Sequence, residues 1–251
     1  MSRLHGGWLF VSAKIKMMKE FTEKTHALIA GLYYRELCAL DPEKGKEAFR
    51  KGTILHGESR GKRMAAHALK DGESSDFRSY FRYGEWRPSE YSQSLQRPKA
   101  EVLSYSPDYV IAIPNCLWHD QFQEMGLSEA EEIYCAEIDK AIVHGFSPEL
   151  KFVTEQTLRD RSCCIQRACG ACLNSSAMPR RKEEYVRDFG FHCANSFYAY
   201  KKAAKLCFPE KGEEIAEKVM KQINEQLGAE ASALLSDYEN YDFEKIEEDQ
   251  L

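Results

Sequence analysis

Two stretches decide the fold class: residues 100–113, AEVLSYSPDYVIAI, and residues 149–168, ELKFVTEQTLRDRSCCIQRA. Both are short, rich in β-branched and aromatic residues, and read as strands. With YSQSL (91–95) ahead of them and breaks at Arg97-Pro98 and Ser106-Pro107, they predict a small sheet. The second stretch reads as a hairpin. On either side the apolar spacing changes from two to that of a helix. Phe21, Leu28, Ile29, Leu32, Tyr33 and Leu37 share one helix face. Asp41-Pro42 then supplies an N-cap and a first-turn proline for a second helix, running to about Lys70 and ending at Asp71-Gly72. Between the strands lie a helix from about Cys116 to Met125 and another from the capping box Ser128–Glu131 to His144-Gly145. After about residue 180, Tyr185, Phe189, His192, Cys193, Ser196, Phe197 and Tyr200 mark a last helix face. The expected fold is α+β: a small antiparallel sheet flanked by helices, with N-terminal and C-terminal helical segments packed on it.

Composition bounds the rest. The 251 residues, 43% apolar and 12% aromatic, suit one folded domain over residues 17–235, with residues 1–16 as an extension. Residues 236–251 carry seven acids and one lysine and read as a solvated acidic tail. A net charge of −5 argues against a nucleic-acid partner, and no apolar run reaches membrane-spanning length. With no export segment the chain is expected in the cytoplasm, where its nine cysteines stay reduced. Those cysteines are then buried thiols, a nucleophile or metal ligands.

Cys116 and His119, three apart at a helix start, could form a thiol with an imidazole in reach, the setting that lowers a cysteine pKa. Cys135 and Asp139 are four apart and share a face. The cluster Cys163, Cys164, Cys169 and Cys172 contains a CxxC that could form a zinc knuckle, although no second CxxC or histidine pair completes it. Within the second helix, Gly57, Gly61 and Ala65 make a stripe another backbone could approach. His56, Arg60, Arg63 and His67 make a second face, either a solvated basic surface or a wall that reads an anion. His192 on the last helix reads first as a core histidine. The chain has no GxGxxG, Walker loop, GxSxG or HExxH.

The segments Cys116-Leu-Trp-His, Tyr134-Cys-x-x-Ile-Asp139, Gly145-Phe-x-Pro-x-Leu150 and Thr157-Leu158 with Cys164 resemble the L-2-amino-thiazoline-4-carboxylic acid hydrolase family. Gly57-Glu-Ser-Arg-Gly-Lys-Arg-Met-Ala65, Tyr83-Gly-Glu-Trp86 and Phe191-His-Cys-Ala194 are similar to its longer members. Leu117, Arg161-Ser162 and Gln166 depart from that pattern, which has proline, Gly-Asp and an aromatic there. The resemblance implies water addition to a cyclic amidine carbon, leaving a carbamoyl amino acid. Cys116 would be nucleophile, His119 base and acid, and Asp139 the partner of the protonated amidine, with Cys135 beside them. Arg60 or Arg63 would take a substrate carboxylate, and Glu85, Trp86, Trp118, Cys164 and His192 would complete the substrate site. A hydroxide on zinc or another divalent ion, held by Cys116, Cys135 and a histidine, would do the same work, and the sequence does not choose. The alternative is a non-catalytic small-molecule-binding domain of the vinyl-reductase type. The partner in either case is a small carboxylate.

Overall fold

The computed structural model describes residues 21–246. Its first helix, α1 (Glu23–Leu40), is closed at its start by a capping box between Thr22 and Thr25. Helix α2 (Pro42–Lys70) follows at once. Asp41 caps it, its carboxylate accepting from the Lys44 backbone N–H at 3.0 Å, with Pro42 in the first turn where no N–H is needed. Two short helices, α3 (Phe77–Arg82) and α4 (Glu90–Ser94), lead to strands β1 (Glu101–Ser104) and β2 (Tyr109–Ile113). Then come α5 (Leu117–Glu124), α6 (Ser128–Phe146), β3 (Lys151–Gln156) and β4 (Cys164–Cys169). Helices α7 (Phe189–Cys207), α8 (Gly212–Leu227) and α9 (Ala229–Ser236) complete the order.

The four strands are antiparallel in the order β1-β2-β4-β3, so the fold is α+β. Gln166 on β4 sits opposite Ile111 of β2 and Thr154 of β3, in the middle of the sheet. Helix α6 packs on β3, and α2 joins α6 to α1 and α7. The α2–α6 contact is backbone to backbone. A Cβ at Gly57 would meet Ala141 at 2.6 Å, one at Gly61 would run into Ile142 O and Phe146 N, and one at Gly145 would run into Glu58. The glycine stripe on α2 is therefore the seam along which α6 lies. On its other side, the rings of Tyr33, Phe49 and Tyr200 stack in a fully buried core.

Three local expectations are corrected. Residues 91–95 lie in α4 and its end, not in a strand. Ser89 caps that turn by accepting from Ser92 N at 3.0 Å, and its hydroxyl also bonds buried Glu23. Helix α6 begins with Ser128 already inside it, so the Ser128–Glu131 capping box does not form. Glu131 instead turns into the protein and is 1% exposed. The acidic segment is not simply solvated. Phe243 and Ile246 are buried, and Tyr238, Tyr241 and Phe243 gather around Phe191. Aromatics at 238, 241 and 243 outweigh the charge around them, because the acids point outward to lysines such as Lys62 and Lys202. The proposed extension at residues 1–16 and residues 247–251 lie outside the described residues. Among the described residues no helix is long and apolar enough to cross a membrane.

Candidate active site

Helices α2, α5, α6 and α7 and strand β4 each send a polar or sulfur side chain into one interior. Cys116 stands at the N-cap of α5, where its extended backbone leaves the sulfur facing the first-turn amides. The backbone N–H groups of His119 and Trp118 favour its thiolate, but burial outweighs them and pushes the thiol up to about 11. This corrects the expected thiolate-favouring setting: at this cap desolvation is the larger influence and the amides only offset part of it.

The His119 ring is anchored from α6. Its Nδ1 donates to Glu131 Oε1 at 2.6 Å, and the other oxygen accepts from Gln123 Nε2 at 2.6 Å. With Nδ1 holding the proton, the lone pair lies on Nε2. The carboxylate that orients His119 is thus Glu131. Its spacing from Ser128 looked like a helix cap, and only the shift of the helix start by one residue frees it.

On α6, one turn further, Cys135 and Asp139 do share a face. Burial holds the Cys135 thiol well above its ordinary value, and the neighbouring Cys116, Glu131, Asp139 and Cys164 raise it further. Asp139 accepts from Gln166 Nε2 at 2.6 Å. Burial raises its carboxyl pKa, against which the Arg60 guanidinium and the Gln166 bond act. Cys164 opens β4 and is pushed up to about 12, by burial first and then by Asp139 and Cys116. Gln166, one of the departures from the family pattern, is therefore the residue that fixes the carboxylate.

The helix face of His56, Arg60, Arg63 and His67 divides. It is not a solvated surface, because His56, Arg63 and His67 are all buried. Nor is it one anion wall. Arg63 makes a fork-to-fork pair with Glu85 at 2.8 and 2.7 Å, both side chains 1% exposed, and also donates to the carbonyl of Phe243. Arg63 and Glu85, both expected at the substrate, are thus paired with each other. His67 stacks on Tyr185 at 4.0 Å. Arg60 is half-buried and faces the interior, with its Nε buried and without a hydrogen-bond partner.

Trp86 and Trp118 pack at 5.9 Å, and Phe189 bridges Trp118 to His192. His192 donates from Nε2 to the Glu85 carbonyl at 3.2 Å, and burial and the charge of Arg60 keep its pKa well below the ordinary value. The site also contains a buried histidine absent from the sequence-based set. His26 on α1 lies 3.2 Å from His56, Nε2 to Nε2, and its Nδ1 accepts from Trp118 Nε1 at 2.9 Å. Thirty residues separate the two histidines, and no local periodicity pairs them.

For metal the donors do not converge. Among the described residues no three His, Cys, Asp or Glu side chains are placed to hold one ion. That applies to Cys116 and Cys135 with a histidine, and equally to Cys163, Cys164, Cys169 and Cys172. Gln156 bonds the Cys163 sulfur, whereas Cys164 faces Asp139 and Cys116, so the two adjacent thiols serve different surroundings.

The profile of the L-2-amino-thiazoline-4-carboxylic acid hydrolase family matches residues 22–166, more than half of the chain. The chain belongs to this family. The matched region begins at the cap of α1 and ends on β4 at Gln166, so it contains His26, His56, Arg60, Cys116, His119, Glu131, Cys135, Asp139 and Cys164. The family name points to a hydrolase. Comparisons with curated proteins and with solved structures find no match.

Proposed function

We propose that this chain hydrolyses a small cyclic amidine of the thiazoline type that carries a carboxylate. The observation that carries the reading is the opposed pair of Arg60 and Asp139, set beside the thiols of Cys116, Cys135 and Cys164 in a member of this family. An amidine-type cation needs a carboxylate and a substrate carboxylate needs a guanidinium, and Asp139 and Arg60 supply them.

In this account Asp139, fixed by Gln166, pairs with the ring amidine and draws positive charge onto the carbon between sulfur and nitrogen. Cys116 attacks that carbon. Its thiol is protonated at neutral pH, so the proton must leave as the sulfur–carbon bond forms, and His119 Nε2 is the base that Glu131 orients for it. The first-turn amides of α5 that favour the thiolate also lie where negative charge develops. Collapse of the adduct breaks a ring bond, the protonated imidazole gives its proton to the leaving atom, and water then releases a carbamoyl amino acid. All nine cysteines are free, which suits a reducing compartment such as the cytoplasm.

The test is turnover of 2-amino-thiazoline-4-carboxylate followed by mass spectrometry of the carbamoyl product. Wild-type protein should release it, and Cys116→Ser and Asp139→Asn should each lower the rate by about a hundredfold or more. The raised thiol pKa values favour one competing reading, a pocket that binds such a ligand without reacting. Binding without product in the wild-type protein would establish that reading instead.

A further inference from the structure

The hydrogen bonds around the buried histidine pair fix where its protons are. An indole N–H can only donate, so the 2.9 Å contact from Trp118 makes His26 Nδ1 a bare acceptor, and the Tyr134 hydroxyl at 3.3 Å points at the same atom. The His26 proton is then on Nε2, aimed at His56 Nε2 3.2 Å away, which must in turn be bare. His56 therefore carries its proton on Nδ1. That N–H is buried and has no partner, in a side chain only 1% exposed. Such a donor is costly to leave unpaired.

Among the site residues named above, Arg60, Trp86 and His192 also have a buried atom without a hydrogen-bond partner. Arg60 Nε, one helical turn from His56, and Trp86 Nε1 are buried donors without partners. His192, whose Nε2 proton is given to the Glu85 carbonyl, leaves Nδ1 as a buried acceptor without a partner. Arg60 acts on His26, His56 and His192 alike, lowering the pKa of each, so the three rings surround one guanidinium. The His26 pKa falls to about 3, by burial first. The three rings are neutral around that cation, and the remaining valences are three donors and one acceptor.

We infer that His56 Nδ1–H and Arg60 Nε–H together receive the carboxylate of the ligand, while His192 Nδ1 accepts an N–H from its nitrogen end. Trp118 and His26 act as positioning residues that set the His56 tautomer. The inference rests on the proposed function for the identity of the ligand and selects its class: a small acid bearing an N–H donor close to its carboxylate. It also assigns the anion to Arg60 and His56, not to Arg63.

The experiment is ring-nitrogen NMR of histidine-labelled protein, titrated with 2-amino-thiazoline-4-carboxylate, with its methyl ester and with acetate, using Cys116→Ser where turnover interferes. The expected result is an Nδ1–H tautomer at His56, whose proton moves with the acid and with acetate and not with the ester. His56→Phe should weaken binding of the acid about tenfold to a hundredfold, and His56→Asn, which keeps a donor at the same distance from Cα, by about threefold or less. An Nε2–H tautomer at His56, or a His56 proton that neither acid moves, overturns the inference, and this holds even if His56→Phe does not fold. Hydrolysis with an unmoved His56 proton removes the inference and leaves the proposed function. Acetate moving that proton with no thiazoline hydrolysis does the reverse.

Discussion

Glu85→Leu should be among the most destabilising single changes in this protein, and should act through stability, not through ligand affinity. The change leaves the Arg63 guanidinium 1% exposed, with the Phe243 carbonyl as its remaining partner. Removing one member of a buried pair typically costs about 3–5 kcal/mol, because the other charge keeps its desolvation penalty. For a chain of this size that is a fall in melting temperature of roughly 6–20 °C. Arg63→Met should cost a similar amount. The double variant should recover most of the loss, retaining about 1–3 kcal/mol from the Phe243 carbonyl that no longer has a donor. Urea unfolding of the four proteins measures the cycle, and calorimetric titration with a small carboxylate measures binding. Arg63→Lys should lose the fork geometry and stability while leaving carboxylate affinity unchanged. Single variants within about 1 kcal/mol of wild type, or a double variant no better than either single, would refute the buried-pair reasoning.

Three further outcomes follow from named contacts. Gly61→Ala places a methyl against Ile142 O and Phe146 N, backbone atoms that cannot rotate aside, so α2 and α6 must separate. A loss of about 1–3 kcal/mol is expected, and no loss in urea unfolding would mean the helices are further apart than described. Phe243→Ala removes a buried ring packed on Phe191 and Tyr241 and should cost about 2–4 kcal/mol, whereas an unchanged melting temperature would restore a solvated acidic tail. Cys116 should alkylate slowly at neutral pH, with a rate rising about tenfold per pH unit toward its pKa of about 11. The same shift makes stability fall as pH rises from the ordinary thiol value of 9.0 toward 11, since the unfolded chain releases that proton first. A mass-spectrometric rate that levels off near pH 8 would contradict burial as the dominant influence.

What was legible in the sequence was local. Asp41-Pro42 and Asp71 mark both ends of α2 because cap and proline chemistry depend on neighbouring residues alone. The glycines at 57 and 61 announced a close approach without naming the partner, which proved to be α6. Alternation placed β1 to β4, and failed at residues 91–95, where a serine cap and polar side chains favoured a helical turn. At the site, spacing put Cys135 and Asp139 on one face. It could not show that burial would dominate the Cys116 thiol, nor that Glu85 would meet Arg63 22 residues away. Glu131 was hidden by a better-known role, and His26 by its distance along the chain from His56. Each of these depends on tertiary contacts that no window of sequence contains.

The central claim is that the interior bounded by Arg60, Cys116 and Asp139 opens a thiazoline ring. The most direct measurement is the mass of Cys116 during the reaction of wild-type protein with 2-amino-thiazoline-4-carboxylate, trapped by acid within the first turnovers. The account predicts a transient adduct on the peptide containing Cys116, appearing before the carbamoyl product and absent from Asp139→Asn. Product formed at the wild-type rate by Cys116→Ala, with no adduct on any cysteine, would contradict it.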